Sequence, residues 1–275
     1  MSTFHYYQLK NLIICISYNM EFIHILILSA IQGITEFLPI SSQSHLILTS
    51  YLLGLKDQGI GLDIALHSGS LIAILIYYRN EIKKILSFTN EGLDYLKLIV
   101  IGSIPLPIIG LLFIDMVSIN MRSISSIALM TILFAVILYL ADSKKKDEIT
   151  KLTNISIFTI IFIGLMQTLA IMPGVSRSGI VITAALLVNF SREDSVKIAF
   201  LLSMPAIFMA TVYQSMQLYK IGNVEILNEH LLGTFLSFIF SYITIHLFIS
   251  TINKISFTPY IIYRLILGVA LIGFI

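Results

Sequence analysis

Long uncharged runs separated by short charged segments form the main pattern of the chain. About 20 mostly apolar residues cross the roughly 30 Å hydrocarbon core of a bilayer as an α-helix, which satisfies its own backbone polar groups there. The pattern therefore predicts six transmembrane helices, in residues 62–78, 98–114, 123–141, 198–219, 230–253 and 261–275. The last of these runs is interrupted only by Arg264.

Two further apolar regions, residues 22–54 and 152–189, are too long for one crossing and are interrupted in the middle. In each, a proline, serines and polar residues separate two apolar pieces of about 15 residues, or about 22 Å of helix. Because a piece of that length does not cross alone, we predict two re-entrant helix pairs that break inside the membrane and return on the same side. Non-helical backbone at that depth is tolerated only where it is buried in protein or lines a cavity.

The two interrupted regions resemble each other. The first runs from Gln32 through Pro39 to a serine cluster, and the second from Gln167 through Pro173 to another. Each is followed by three predicted crossings, an odd number, so the second copy is inverted. Such paired discontinuous helices place a binding site near the membrane midplane. The predicted fold is an all-α polytopic membrane protein with six transmembrane helices and two re-entrant helix pairs in an inverted repeat.

The predicted membrane-embedded domain covers residues 20–275, with 20–141 as the first inverted repeat and 152–275 as the second. Residues 1–19 are aromatic and polar and lack the pattern of a signal peptide. We interpret them as an N-terminal extension that is not translated, with Met20 as the start. A short surface extension is the alternative.

Composition excludes an ordinary soluble protein. The chain is 57% hydrophobic and 12% charged, whereas soluble domains are about 25% charged, so too little polar surface remains to cover a globule in water. A net charge of +2 gives no basis for nucleic acid as a partner. Cys15 is the single cysteine, which excludes an internal disulfide.

The distribution of Lys and Arg predicts the sidedness. These residues cluster in loops 79–97 and 144–151, which the positive-inside rule places in the cytoplasm together with 192–197. Segments 115–122 and 220–229 then lie on the outer side.

Ionisable residues at the two breaks are candidates for function because they are costly inside a membrane. Glu36 lies in the first break, and Arg177 in the second is the only charged residue between Lys151 and Arg192. A lone serine or histidine in a membrane helix has ordinary packing explanations, whereas these two charges have few.

The breaks also predict an anion site. Pro39 and Pro173 end the incoming helices, so that Ser41 or Ser42 and Ser176 become N-caps of the returning helices. The free N–H groups and positive dipole ends of those helices then face the breaks. Arg177 adds a forked cation that suits phosphate oxygens. A diphosphate fits this arrangement better than a carboxylate does.

The first break carries the candidate chemistry. Ser42 and His45 are three residues apart, and Gln32 and Glu36 are four apart, so each pair shares a helix face. A hydroxyl beside an imidazole is a nucleophile with its general base. Glu36 has three alternative roles, which the sequence leaves open: to orient His45, to act as the base itself, or to hold a divalent cation. We interpret the other intramembrane histidines as buried residues without a functional role, namely His24, His67, His230 and His246.

Residues 32–46 and 173–183 resemble the two signature motifs of the bacterial undecaprenyl-diphosphate phosphatase (bacitracin-resistance) family. Weaker matches at 67–71, 200–205 and 255–264 extend the resemblance over residues 20–275. It implies hydrolysis of C55 polyprenyl diphosphate to the monophosphate and inorganic phosphate, which recycles the lipid carrier for peptidoglycan synthesis and confers bacitracin resistance. It also implies a multi-pass protein of the bacterial inner membrane, a site open to the periplasmic side, and a divalent cation, Mg²⁺ or Ca²⁺.

The resemblance also implies roles for individual residues. Catalytic roles are carried over to Glu36, Ser42, His45 and Arg177, with Glu36 as the candidate metal ligand. Substrate binding is assigned to Gln32, Ser41, Gly174, Ser176 and Ser178. The family often has a second glutamate where Gln32 stands, so one carboxylate of a two-carboxylate metal site is missing here. Whether Ser42 or a water activated by His45 attacks phosphorus is left open.

The expected partners are a polyprenyl diphosphate lipid and the membrane, without nucleic acid, and a homodimer is considered as the assembly. The alternative function is a transporter or flippase of a phosphorylated polyprenyl lipid, because inverted repeats with broken helices are also typical of alternating-access carriers. The serine, histidine and glutamate of the first break separate the two hypotheses, since binding alone needs no nucleophile and base.

Overall fold

The computed structural model describes residues 22–52, 59–121, 123–144, 152, 155–221, 228–252 and 254–273. The helices in chain order are α1 (Phe22–Thr35), α2 (Ser42–Leu52), α3 (Gly59–Tyr77), α4 (Arg79–Leu86), α5 (Asn90–Ser103), α6 (Pro105–Asn120), α7 (Ile124–Ser143), α8 (Ile157–Thr168), α9 (Arg177–Leu187), α10 (Arg192–Ile221), α11 (Asn228–Ile252) and α12 (Thr258–Ile272). The predicted extension 1–19 and the start at Met20 lie outside the described residues.

Five of the six predicted crossings are confirmed by length and apolarity: Ile60–Tyr77, Asn90–Phe113, Ile124–Ser143, Arg192–Lys220 and Asn228–Ile252. The sixth, predicted at 261–275, corresponds to α12, which has the same length of 15 residues, or about 22 Å of helix, and is shorter than the five spans above. Arg264 near its centre is fully buried in protein. The helix therefore carries its charge on an inward face.

Both interrupted regions are broken where the sequence predicts. The chain leaves helical geometry at 36–41 between α1 and α2, and at 172–176 between α8 and α9. Helices α2, α8 and α9 have 11, 12 and 11 residues, about 16–18 Å each, which is too short to cross a bilayer. Their entry and exit on one side of the membrane stays a prediction.

Two local features differ from the predicted pattern. The crossing predicted at 98–114 is kinked, since α5 ends at Ser103 and α6 begins at Pro105. Proline has no N–H to donate and crowds the preceding turn, so it bends a helix. The basic loop predicted at 79–97 contains the short helix α4.

The two halves of the chain pack across each other. Helix α3 lies against α10 and α11, and α7 lies against α9 and α12. Small polar residues allow the close approach of α3 and α11, where Ser241 Oγ donates to Ser70 Oγ at 2.9 Å and Ser237 Oγ donates to the Leu66 carbonyl at 2.7 Å. Helix α10 is central, because 61% of its membrane-length segment is buried, compared with 17% for Asn90–Phe113.

An ion pair ties three helices together at the end where α10 begins. Arg192 donates to both carboxylate oxygens of Asp142 on α7, at 2.6 and 3.0 Å. The backbone N–H of Phe257, just before α12, donates to the same carboxylate at 3.3 Å. Asp142 on α7 thus accepts hydrogen bonds from both α10 and the residue before α12.

Asp142→Ala is expected to lower the free energy of unfolding by about 2 kcal/mol, because it leaves Arg192 and the Phe257 N–H without their acceptor. The loss is smaller than for a fully buried pair, since 40% of the Arg192 side chain is exposed. Unfolding in detergent measures the effect. Lys97→Met is the control: this lysine is 59% exposed and pairs with Asp94 at 3.5 Å, so its loss should cost under about 1 kcal/mol. Equal losses of unfolding free energy in the two variants would contradict the role of Asp142 as an acceptor that stabilises the fold.

Candidate active site

The two breaks meet at a cavity of about 330 Å³. Its other walls come from the first half of α3, the start of α6 and the second half of α10. The lining residues are Glu36, Ser41, Ser42, Gln43, Asp63, His67, Leu106, Ala170, Ile171, Met172, Ser176, Arg177, Ala206, Ile207, Ala210 and Gln214. The structure therefore brings five of the predicted site residues to one space: Glu36, Ser41, Ser42, Ser176 and Arg177.

Glu36 is the centre of the polar contacts in this cavity. Arg177 donates through Nη2 to its Oε1 at 2.6 Å, and Ser42 Oγ donates to its Oε2 at 2.7 Å. Gln32 Nε2 also donates to Oε2, at 3.0 Å. The carboxylate side chain is only 7% exposed and the arginine 14%. A buried carboxylate needs this compensation, and the same contacts connect the first break to the second.

The returning helices begin as predicted, with serine in an unusual backbone conformation at each start. Ser41 has φ 72° and Ser176 has φ 71°, in the left-handed region that residues other than glycine seldom occupy. Ser176 Oγ accepts from the N–H of Gly179 at 3.2 Å, so it is the N-cap of α9. Ser41 Oγ lies 3.0 Å from Ser44 Oγ at the start of α2. The matched geometry supports the predicted similarity of the two breaks.

His45 does not pair with Ser42, although the spacing predicts a shared helix face. Its Nδ1 lies 2.7 Å from the carbonyl of Ser41, and because a carbonyl only accepts, Nδ1 carries the hydrogen. Its Nε2 lies 2.5 Å from the Tyr263 hydroxyl, and the two rings stack with centroids 5.6 Å apart. Both nitrogens are therefore occupied. The helix turns His45 toward α12, and the partner of Ser42 is Glu36.

Three other predicted binding residues lie outside the cavity lining. Gln32 is fully buried behind Glu36. Ser178 Oγ donates to the Leu38 carbonyl at 2.7 Å and so links the second break to the first. Gly174 has φ 96°, and a Cβ there would lie 2.6 Å from the Ile127 carbonyl oxygen. These residues shape the breaks, and their predicted contact with substrate stays untested.

Sequence reasoning missed three polar residues of this region. Asp63 and His67, four residues apart on α3, both line the cavity, and His67 Nε2 lies 3.9 Å from Glu36 Oε2. The His67 side chain is 22% exposed, which differs from its interpretation as a buried histidine without a role. Arg264 on α12 donates to backbone carbonyls of both breaks. The signal was present in each case, namely an ionisable residue within a predicted crossing.

The cavity has oxygen donors for a divalent cation, although not a complete protein ligand set. No group of three or more His, Cys, Asp and Glu side chains suited to a metal ion occurs among the described residues. Glu36 and Asp63 both line the space, and the buried Gln32 Oε1 has no hydrogen-bond partner. Mg²⁺ is commonly held by one or two carboxylates together with substrate phosphates. The residues present fit that mode of binding.

A larger apolar cavity of about 550 Å³ adjoins the polar one. The two share the residues Gln43, Leu106, Ala170, Ile171, Ala206 and Ala210. The remainder of its wall is apolar apart from Tyr213 and includes Leu111, Phe208 and Met216. A polar compartment therefore continues into an apolar one between α6 and α10.

Comparison with known proteins shows which family the chain belongs to. The family model described as "Bacitracin resistance protein BacA" matches residues 25–270. The chain is 42% identical over 265 residues to "Undecaprenyl-diphosphatase 1" of Pseudoalteromonas translucida (strain TAC 125), covering 93% of this chain and 99% of that protein. It is 42% identical over 264 residues to "Undecaprenyl-diphosphatase" of Teredinibacter turnerae (strain ATCC 39867 / T7901), covering 92% and 98%. The chain therefore belongs to the bacitracin resistance protein BacA family.

Proposed function

We propose that the protein is an undecaprenyl-diphosphate phosphatase, a phosphoric anhydride hydrolase that regenerates the lipid carrier for peptidoglycan synthesis. The observation that carries this proposal is the hydrogen bond from Ser42 Oγ to Glu36 Oε2, at 2.7 Å, inside a cavity that also contains Arg177. A hydroxyl beside a carboxylate is a nucleophile with its base. Relatives that match this chain over nearly its whole length bear the name undecaprenyl-diphosphatase.

In the proposed reaction, the Ser42 oxygen attacks the terminal phosphorus and its proton passes to Glu36. The bond between that phosphorus and the bridging oxygen breaks, and undecaprenyl phosphate leaves with the electron pair. Glu36 passes that proton on to the departing undecaprenyl phosphate and is again a carboxylate. Water then attacks the phosphoserine and gives a proton to Glu36, the bond between phosphorus and Ser42 Oγ breaks, and Ser42 Oγ takes the proton from Glu36 as inorganic phosphate leaves. Arg177 and the N–H groups at the start of α9 are positioned to stabilise the charge on the phosphate oxygens.

The apolar cavity supplies a place for the prenyl tail. It shares a wall with the polar cavity at Leu106, Ala206 and Ala210. A diphosphate held at Glu36 and Arg177 would thus continue directly into an apolar space between α6 and α10. This continuity supports a lipid substrate over a water-soluble diphosphate, because the tail stays away from water as the head group binds.

A divalent cation, Mg²⁺ or Ca²⁺, is part of the proposal. Glu36 would hold it, with Asp63 and the substrate phosphates as further oxygen donors. When bound, such an ion neutralises charge on the transferred phosphoryl group.

We further propose that the protein lies in the bacterial inner membrane with the cavity open to the periplasm. The cavity is lined by the first half of α3 and the second half of α10, whereas the basic segments adjoin the end of α3 and the start of α10. The site is therefore at the end remote from the predicted cytoplasmic loops. A homodimer stays a prediction, which the mass of the detergent-solubilised protein tests.

The first experiment measures phosphate release from undecaprenyl diphosphate by purified protein with Mg²⁺, with Ca²⁺ and with EDTA. We expect release that depends on the cation and that falls about 10³-fold or more in Ser42→Ala, since the nucleophile is lost. Ser191→Ala, a serine at the start of α10 that lies outside the cavity, is the control and should retain activity. No release from folded protein would contradict the phosphatase. Lipid movement that persists in Ser42→Ala would favour the carrier.

Tyr263→Phe tests the contact between α12 and His45. The substitution keeps the stacked ring but removes the hydroxyl that reaches His45 Nε2. His45 Nδ1 also holds the carbonyl of Ser41, next to Ser42, so a ring that loses this contact should displace Ser42, and we expect kcat to fall about tenfold, as for the loss of one orienting hydrogen bond. Tyr260→Phe is the matched control, because that ring packs against Phe248, and its kcat should stay within about twofold. Equal kcat values for both variants would show that the hydroxyl has no part in catalysis.

A further inference from the structure

Arg264 is a buried cation to which the proposed reaction gives no role. It is the largest fully buried side chain among the described residues. Its Nη2 donates to the carbonyls of Gly174 and Val175 at 2.9 and 3.0 Å, and its Nη1 donates to the carbonyl of Pro39 at 3.5 Å. One side chain from α12 therefore contacts the backbone of both breaks, while it does not line the cavity.

We propose that Arg264 is a positioning residue, whose guanidinium holds the two helix breaks in the mutual arrangement that brings Ser42 and Arg177 to one cavity. The catalytic consequence of this inference rests on the proposed function. The arrangement itself does not, because it is a property of the contacts between α12 and the two breaks.

The chemistry of the contact favours arginine. Carbonyl groups in non-helical backbone at membrane depth need a donor, since neither water nor a helical N–H is at hand. The guanidinium presents several N–H groups in a fixed fork, whereas a lysine ammonium is a single point. Arg264 uses that fork to reach two separate segments of chain.

The backbone of the breaks supports the same inference. Ser41 and Ser176 both have φ near 70°, at 72° and 71°, and such conformations persist only where the surroundings over-determine them. The carbonyls that accept from Arg264 precede these serines by one or two residues. The arginine therefore holds the chain just where each returning helix is about to start.

Gly179 offers a second way to disturb this contact. A Cβ at Gly179 would lie 3.1 Å from Arg264 Nη1 and 3.2 Å from Ser176 Oγ. Both distances are tight, so Gly179→Ala should shift the guanidinium and the Ser176 cap relative to each other by a few tenths of an ångström, while every charge in the protein is retained. This variant separates loss of position from loss of charge.

The test compares Arg264→Lys, Arg264→Met and Gly179→Ala by hydrogen exchange of the whole purified protein and by phosphate release. We expect amide exchange at 40–42 and at 174–178 to rise about tenfold or more, with exchange in α3 and α11 within about twofold of wild type. We expect kcat to fall about 100-fold, as for a misplaced catalytic group, while KM changes less than about threefold. Arg264→Lys should retain more activity than Arg264→Met.

Arg192→Met is the matched control. It makes the same replacement at an arginine whose partner is Asp142, away from both breaks. Exchange at the breaks and kcat should stay within about twofold of wild type. If Arg264→Met does not fold, Arg264→Lys and Gly179→Ala still decide the question.

Three results would overturn the proposal: exchange that is unchanged at the breaks, exchange that rises at only one break or throughout the chain, or a kcat that is unchanged while both breaks exchange faster. A wild-type protein that releases no phosphate would instead refute the proposed function. The exchange comparison would then still decide whether Arg264 holds the breaks together.

Discussion

Glu36→Gln is expected to lower kcat for phosphate release by about 10²–10⁴-fold, the usual contribution of a general base. The carboxylate accepts from Ser42 and pairs with Arg177, and the amide of glutamine neither takes the proton nor balances the guanidinium. The side chain keeps nearly the same shape, but the substitution leaves the buried Arg177 without its anion, so it should also lower the free energy of unfolding, and kcat is compared on protein shown to be folded. Steady-state phosphate release at saturating substrate measures it.

Glu229→Gln is the matched control for this prediction. Glu229 is exposed in the first turn of α11 and lies outside the cavity lining, so its kcat should stay within about twofold. If Glu36→Gln retains more than about one tenth of the wild-type kcat, the carboxylate is not the base. The hydrogen bond from Ser42 would then serve packing alone.

Arg177→Met is expected to lower the free energy of unfolding by about 3–5 kcal/mol, because it leaves Glu36 buried without its cation. The double variant Glu36→Gln with Arg177→Met removes both charges and should recover most of that loss, although it should be inactive. The pair is buried, with side-chain exposures of 14% and 7%, so water screens it little. Unfolding of the purified protein in detergent gives both values.

Arg79→Met controls for the loss of an arginine as such, since Arg79 is exposed and contacts the Ile76 carbonyl at 3.3 Å. Its effect should be under about 1 kcal/mol. Additive losses in the double variant would argue against coupling between Glu36 and Arg177. The two charges would then have to be compensated separately by other groups of the cavity.

The sequence predicts the charged residues of the site, because a charged side chain inside a membrane is energetically costly and so stands out. Glu36 and Arg177 stand out on that argument, and the structure places them 2.6 Å apart. Arg264 and Asp63 are also charges within predicted crossings. Arg264 interrupts the apolar run 261–275, and Asp63 lies near the start of the run 62–78. In the hydropathy pattern both residues are exceptions within a predicted helix. Which face of a helix they occupy depends on packing that a single sequence does not contain.

The pairing of Ser42 shows a different limit. Helical spacing places Ser42 and His45 on one face, and that prediction treats α2 as a regular helix from its first residue. In the structure His45 reaches back to the Ser41 carbonyl and outward to Tyr263, whereas Ser42 points to Glu36 across the break. Local spacing fixes angles along one helix. It does not fix which of two neighbouring elements a side chain meets.

Fold prediction was most accurate where apolar length decides. Five crossings and both breaks follow from runs of uncharged residues and from Pro39 and Pro173. The kink at Pro105 was missed because the apolar run 98–114 was taken as one straight crossing. Helix α4 was missed because the charged segment 79–97 was taken as a loop throughout. The contact of α7 with α12 joins residues far apart in sequence, which hydropathy alone does not indicate.

The short α12 has a consequence for the lipid around the protein. At 15 residues it spans about 22 Å, less than the roughly 30 Å hydrocarbon core, whereas α10 has 30 residues. A bilayer meets a short helix by thinning at its edge. Hydrophobic mismatch should therefore draw the head-group layer inward beside α12. The polar head group of a lipid beside α12 would then cross a shorter distance of hydrocarbon to reach the depth of the breaks.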